Sequence, residues 1–145
     1  MEWQRHTVLV IDGEPEMRET LRLVLTDEGY AVQTAADMAA GLRALYASRE
    51  PMTVLLDVVP LAYLSRAQSG LGLLDAVGQD DALLGRHAYV VMSTAPEHVV
   101  ALAGSLPPYL TVPVVRKPFN LDDLLATIGQ ASRATREQRV YSIAG

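Results

Sequence analysis

Met52-Thr53-Val54-Leu55-Leu56-Asp57 is the stretch on which the reading of this chain turns. A short apolar run after a proline, Pro51, predicts a buried strand. Its last residue is a carboxylate, and open α/β sheets place their chemistry at the carboxyl ends of their strands. Three other runs share this form. Thr7-Val8-Leu9-Val10-Ile11 leads into Asp12 and Glu14, Tyr89-Val90-Val91-Met92 into Ser93-Thr94, and Thr111-Val112-Pro113-Val114-Val115 into Arg116-Lys117-Pro118. Carboxylates, a hydroxyl and an ammonium are therefore expected along one edge of one sheet. That collection suits a metal ion and a transferred phosphoryl group.

Helical patterns fill the intervals. Pro15 suits a first helical turn, and Met17, Leu21, Val24 and Leu25 recur on one face until Gly29 stops the helix. Tyr30–Thr34 is a short second strand. Asp37 caps a second helix whose inner face carries Met38, Leu42, Leu45 and Tyr46, and which Gly41 weakens. A third helix runs from Gly70 through Val77, with Asp80-Asp81 at a solvated helix end. A fourth helix spans Pro96 to Gly104 before the Pro107-Pro108 break. Asn120 caps the last, with Asp122 and Asp123 in its first turn and Leu121, Leu124, Leu125 and Ile128 inward. Five strand–helix repeats predict an α/β fold: a five-stranded parallel sheet, doubly wound, (βα)5.

Composition narrows the class. At 145 residues, half of them hydrophobic, the chain can bury one sizeable core and is expected to form one domain. A formal charge of −5 with no basic run argues against a nucleic-acid footprint. The absence of cysteine removes disulfides and thiolate metal sites. No signal-peptide pattern opens the chain and no apolar stretch reaches the roughly 20 residues of a membrane span, so a cytoplasmic protein is expected. His6, His87 and His98 are not spaced as metal ligands.

Val8-Leu9-Val10-Ile11-Asp12-Gly13-Glu14-Pro15, Leu55-Leu56-Asp57, Met92-Ser93-Thr94-Ala95 and Lys117-Pro118-Phe119, in this order, resemble the receiver domain of two-component response regulators. The resemblance covers residues 7–130. It implies a flavodoxin-like, CheY-like fold, with a receiver domain over 1–132 and a C-terminal tail or linker over 133–145. It implies that Asp57 is the phosphoacceptor, that Thr94 donates a hydrogen bond to a phosphoryl oxygen, and that Lys117 pairs with Asp57 and then with the phosphoryl group. It also implies Mg²⁺, held by Asp12, Asp57, the backbone carbonyl of Val59 and, in one reading, Glu14. Implied partners are a sensor histidine kinase or phosphotransfer protein and a downstream protein. A homodimer through the fourth helix, fifth strand and fifth helix is a further option. A cis peptide before Pro118 is common in the family.

This sequence departs from that pattern. Gly13 stands where the family usually has a second acid that touches the metal, so weak Mg²⁺ binding is expected; Glu14 lies one residue further on. The segment 58–69 reads as an insertion in which Tyr63, Ser65 and Arg66 can reach a partner. Val114 replaces the usual aromatic three residues before the lysine. Val59 and Pro96 have no side chain able to orient an attacking water, so a long-lived phosphoryl group is expected.

Two functions therefore compete. One is a phosphoaccepting receiver that switches partner binding and catalyses only its own phosphorylation and dephosphorylation. The other is a pseudo-receiver, an interaction module that has lost metal-dependent phosphorylation. A third, an acyl-phosphate hydrolase, lacks a second acid two residues after Asp57, where Val59 stands.

Overall fold

A computed structural model of the protein describes residues 5–58, 70–97, 99 and 112–144. The apolar runs form five strands: β1 (Thr7–Ile11), β2 (Ala31–Ala35), β3 (Met52–Asp57), β4 (Ala88–Ser93) and β5 (Val114–Arg116). All pair in parallel in the order β2-β1-β3-β4-β5. Side chains alternate along a strand, so Val8 and Val10 of β1 enter one core and Leu9 and Ile11 the other. Both faces of β1, β3 and β4 are covered, which is why these strands read as continuous apolar runs rather than as alternating ones.

Helices α1 (Pro15–Asp27) and α5 (Leu121–Ala144) cover one face, where Leu21, Leu25, Leu124 and Ile128 pack on Val10, Leu55 and Val90. Helices α2 (Met38–Ala47), α3 (Leu71–Gly78) and α4 (Asp81–Arg86) cover the other, through Leu45, Leu73, Leu74 and Leu83. Each fully buried leucine of this kind stabilises the fold by about 1.5–3 kcal/mol relative to an exposed one. The chain leaves β1 for β2 on one side and then returns to β3 on the other. The strand order therefore reverses between β1 and β3, and a crevice opens beyond their carboxyl ends. Asp12 follows β1 and Asp57 ends β3, so both stand at that crevice.

The predicted caps are present. Asp37 accepts the Ala40 N–H at 2.8 Å, and Asn120 accepts the Asp122 and Asp123 N–H groups at 2.8 and 3.2 Å. At the end of α1, Gly29 and Tyr30 donate back to the carbonyls of Thr26 and Leu25, satisfying two carbonyls of the last turn.

Several expectations are corrected. Tyr46 lies outside rather than inside, 58% exposed. The innermost place on α2 belongs to Gly41, where an added Cβ would come within 2.6 Å of Ile11 Cδ1 and 3.3 Å of Leu73 Cδ1. That glycine lets α2 lie close to the sheet, a gain that offsets its poor helix propensity. Asp80 caps a short helix not foreseen, α4, by accepting from the Ala82 and Leu83 N–H groups. Strand β2 begins at Ala31 rather than Tyr30, and β5 begins at Val114, Val112 and Pro113 lying before it. Helix α5 continues through the segment read as a tail or linker, as far as Ala144. Pro96, Glu97 and Val99 are helical. The remainder of the predicted fourth helix, the segment from Val59 through Ser69 and the Pro107-Pro108 break lie outside the described residues.

Candidate functional site

The pocket forms because three chain segments end at the same level of the sheet. Ile11 pairs with Leu56, and Asp57 pairs with Met92, so the residues just beyond β1, β3 and β4 are neighbours. The ladder continues one step further, with the Val58 N–H donating to the Met92 carbonyl at 2.9 Å and the Lys117 N–H to the Ser93 carbonyl at 2.8 Å. This last bond fixes the backbone from which the Lys117 side chain reaches back across β4. The peptide bond between Lys117 and Pro118 is cis.

Lys117 Nζ lies 2.9 Å from Asp57 Oδ1 and 3.4 Å from Asp12 Oδ2. The Asp12 side chain is fully buried, while those of Lys117 and Asp57 are each 12% exposed. One ammonium thus bridges two carboxylates in a pocket with little water. Burial raises the Asp57 carboxyl above its ordinary range; Lys117 opposes this, and the charges of Asp12 and Glu14 add to it. Burial works against the Lys117 ammonium, but the hydrogen bond and charge of Asp57, together with Asp12, outweigh it and hold its pKa above the usual value. Asp12 is fixed from its other side, because its Oδ1 accepts the Glu14 N–H at 2.8 Å and its own N–H donates to the Ala35 carbonyl at 3.1 Å.

Of the residues expected in the site, Asp12, Asp57 and Lys117 converge by direct contact. Thr94 follows β4 and is exposed, two residues beyond the partner of Asp57. Glu14 is exposed at the start of α1. Among the described residues no group of three or more carboxylate, imidazole or thiolate side chains is placed to hold a metal, so Glu14 does not complete a triad with Asp12 and Asp57. Val59 lies outside the described residues. Gly13 is exposed, and a Cβ there would meet only the Ala36 carbonyl, at 3.9 Å. Two converging carboxylates suit a weakly held divalent cation that keeps most of its water. Arg116, read as a surface residue, pairs with Glu97 at 3.0 Å, both well exposed.

Two residues near the pocket were not foreseen. Gly70 has φ +98°, and a Cβ there would come within 2.8 Å of the Asp57 carbonyl oxygen and 3.1 Å of Val58 Cγ2. Glycine is needed there both for the left-handed backbone and for the close approach to the residue that carries Asp57. Arg18 Nη1 donates to the Asp12 carbonyl at 2.8 Å. A sequence signal for Arg18 exists, since a cation in the first turn of a helix opposes the helix dipole and asks for another reason to be there.

The family model described as response regulator receiver domain matches residues 8–129. The chain is 36% identical over 134 residues to the transcriptional regulatory protein KdpE of Mycobacterium tuberculosis, covering 87% of this chain and 50% of KdpE. The crystal structure of NtrX from Brucella abortus superposes with a TM-score of 0.73 at 27% identity, covering 97% of this chain and 30% of that one. The chain thus spans half or less of the length of these two proteins. Response regulator TrrA from Thermotoga maritima, solved in complex with Mg(2+)-BeF, has the same fold, with a TM-score of 0.67 at 22% identity over 87% of this chain and 98% of its own. With the family model matching most of its length, and with a five-stranded parallel sheet whose rim holds Asp12, Asp57 and Lys117, this chain belongs to the response regulator receiver domain family.

Proposed function

We propose that the chain accepts a phosphoryl group on Asp57 and uses it to switch the binding of a downstream protein. The observation that carries this reading is the ammonium of Lys117 shared by the carboxylates of Asp57 and Asp12, the second of them fully buried. The donor would be a phosphohistidine on a sensor kinase or phosphotransfer protein. A carboxylate oxygen of Asp57 would attack phosphorus. The O–P bond of an acyl phosphate forms as the N–P bond breaks, and the imidazole leaves with that electron pair and takes up a proton. Lys117, freed from Asp57, would hold one phosphoryl oxygen, and the Thr94 hydroxyl would donate to another. No general base is required, and the catalysis is positioning and charge stabilisation. Asp12 and Asp57 would hold Mg²⁺, which supplies positive charge to the phosphoryl oxygens when bound. The chain would act on no other substrate, in a cytoplasmic setting.

Titration with beryllofluoride and Mg²⁺, followed by amide NMR, tests the site without a kinase. Shifts centred on Asp57, Thr94 and Lys117, absent in Asp57→Asn, are expected. Unchanged spectra at saturating beryllofluoride would count against the proposal.

Gly13 favours the second reading, a phosphorylation-independent interaction module, because no third carboxylate joins Asp12 and Asp57 among the described residues. Partner binding equal for wild type and Asp57→Asn, whatever the phosphodonor, would select that reading.

A further inference from the structure

We infer that Arg18 is a positioning residue for the reaction at Asp57: it stiffens the Asp12–Gly13–Glu14 turn and so aims the Asp12 carboxylate, a restraint this chain needs because position 13 is glycine. The inference rests on the phosphoacceptor reading proposed above and assigns a further residue to the same site.

The turn is held by bonds on either side of Gly13. The Asp12 carbonyl accepts from Arg18 Nη1 at 2.8 Å, which sets the peptide plane between residues 12 and 13. The Glu14 N–H donates to Asp12 Oδ1 at 2.8 Å, which sets the plane between residues 13 and 14. The Glu14 carbonyl in turn accepts the Arg18 N–H at 3.0 Å, so Arg18 grips the turn with both its side chain and its main chain. The two planes are joined through the φ and ψ of Gly13, and glycine restrains neither. The second plane carries the bond that orients the Asp12 carboxylate. With Oδ1 held there, Oδ2 lies 3.4 Å from Lys117 Nζ. Freedom at Gly13 therefore reaches the pocket as freedom of Asp12, and the Arg18 bond takes that freedom away. Arg18 acts here through a backbone carbonyl, and no contact with Asp57 or with a phosphoryl group is required.

The backbone itself does not demand glycine at this position. Gly13 is not in the left-handed region, and an added Cβ would meet only the Ala36 carbonyl oxygen, at 3.9 Å. Alanine fits there and narrows φ and ψ by itself. Gly13→Ala should thus make Arg18 dispensable. Neither a charge effect of the guanidinium nor a general bracing of α1 would do that.

Arg18→Met, which keeps most of the stem and removes the donors, tests the inference in both backgrounds. Labelling of Asp57 by acetyl phosphate is followed by intact mass across a series of Mg²⁺ concentrations. Arg18→Met is expected to raise the Mg²⁺ concentration for half-maximal rate about fivefold, the net worth of one hydrogen bond, and by less than about twofold when Gly13 is alanine. An equal penalty in the two backgrounds, or none in either, overturns the inference. Amide exchange of Glu14, measured by NMR without any phosphodonor, reads the turn directly. It is expected to quicken about fivefold in Arg18→Met and to return toward wild type when Gly13→Ala is added. Exchange that Arg18→Met leaves unaltered overturns the inference on its own. Urea unfolding of each variant confirms that the fold is kept. A wild type that gains no phosphoryl mass at any Mg²⁺ concentration sinks the phosphoacceptor reading instead, and Glu14 exchange then still decides whether Arg18 stiffens the turn.

Discussion

His87 shows how one buried side chain makes this fold pH-sensitive away from its site. Its Nδ1 accepts the Met52 N–H at 3.0 Å, at the opening of β3, so the neutral ring carries its proton on Nε2, which has no hydrogen-bond partner. Burial, with the charge of Arg86 adding to it, lowers the pKa from 6.5 to about 4; the Leu45 carbonyl acts weakly the other way. The unfolded chain takes up this proton below pH 6.5 and the folded chain does not. The stability that His87 contributes is therefore full above pH 6.5 and is lost as pH falls toward 4. Between pH 7.5 and 5 that loss is about 2 kcal/mol. His87→Asn keeps an acceptor for Met52 but cannot titrate, so its urea-unfolding free energy should fall less over that interval by about the same amount. Parallel pH profiles for the two proteins would refute the assignment.

Gly70 makes the second argument at this scale. An alanine there meets both a left-handed backbone and the Asp57 carbonyl. Thermal unfolding of Gly70→Ala should show a loss of about 1–3 kcal/mol, whereas an unaltered midpoint would mean that the close approach to Asp57 does not constrain this position.

Among the elements, helix α5 departs most from what its sequence suggests, and the reason is polar docking. Ser132 donates its one hydroxyl proton to the Ile128 carbonyl at 2.7 Å. Thr53 must then donate to Ser132 Oγ, at 2.8 Å, and His6 Nε2–H must donate to Thr53 Oγ1, also at 2.8 Å. Thr135 donates to the Ser132 carbonyl within the helix. Ser132, Thr135 and Thr53 are all buried. A helix attached this way past Ile128 has no apolar stripe to reveal it, and so Arg133–Gly145 reads as a tail. Ser132→Ala should cost about 1–3 kcal/mol by stranding the Thr53 hydroxyl, while adding Thr53→Val should recover part of that loss. Strictly additive effects in a double-mutant cycle would deny the chain of bonds.

The same contrast explains what was legible elsewhere. The three central strands, β1, β3 and β4, were readable because both their faces are buried, which leaves uninterrupted apolar runs. Asp12, Asp57 and Lys117 were readable because each ends or follows such a run. Gly70 and Arg18 were not foreseen, because their work depends on backbone approach and on a carbonyl contact that no periodicity encodes. Gly41 was misread as a weak point for the same reason, its purpose being the space it leaves for Ile11 and Leu73. Thr94 stands beyond β4, as its run implied, and among the described residues it makes no side-chain hydrogen bond to Asp12, Asp57 or Lys117.

Over the whole molecule, the reversal of strand order between β1 and β3 brings residues from distant parts of the chain to one rim. The opposite rim holds the Thr53–Ser132 chain, so β3 carries Asp57 at one end and the anchor of α5 at the other. No described helix is long and apolar enough to cross a membrane. The family supplies the expectation of phosphoryl transfer, and Gly13 is the residue that puts its metal dependence in question. Intact-mass analysis after incubation with acetyl phosphate and Mg²⁺ tests the central claim most directly. The account predicts one added phosphoryl group in the wild type, lost on Asp57→Asn and persisting for minutes or longer after the donor is removed. A wild type that gains no mass, or an Asp57→Asn variant that gains as much, would contradict it.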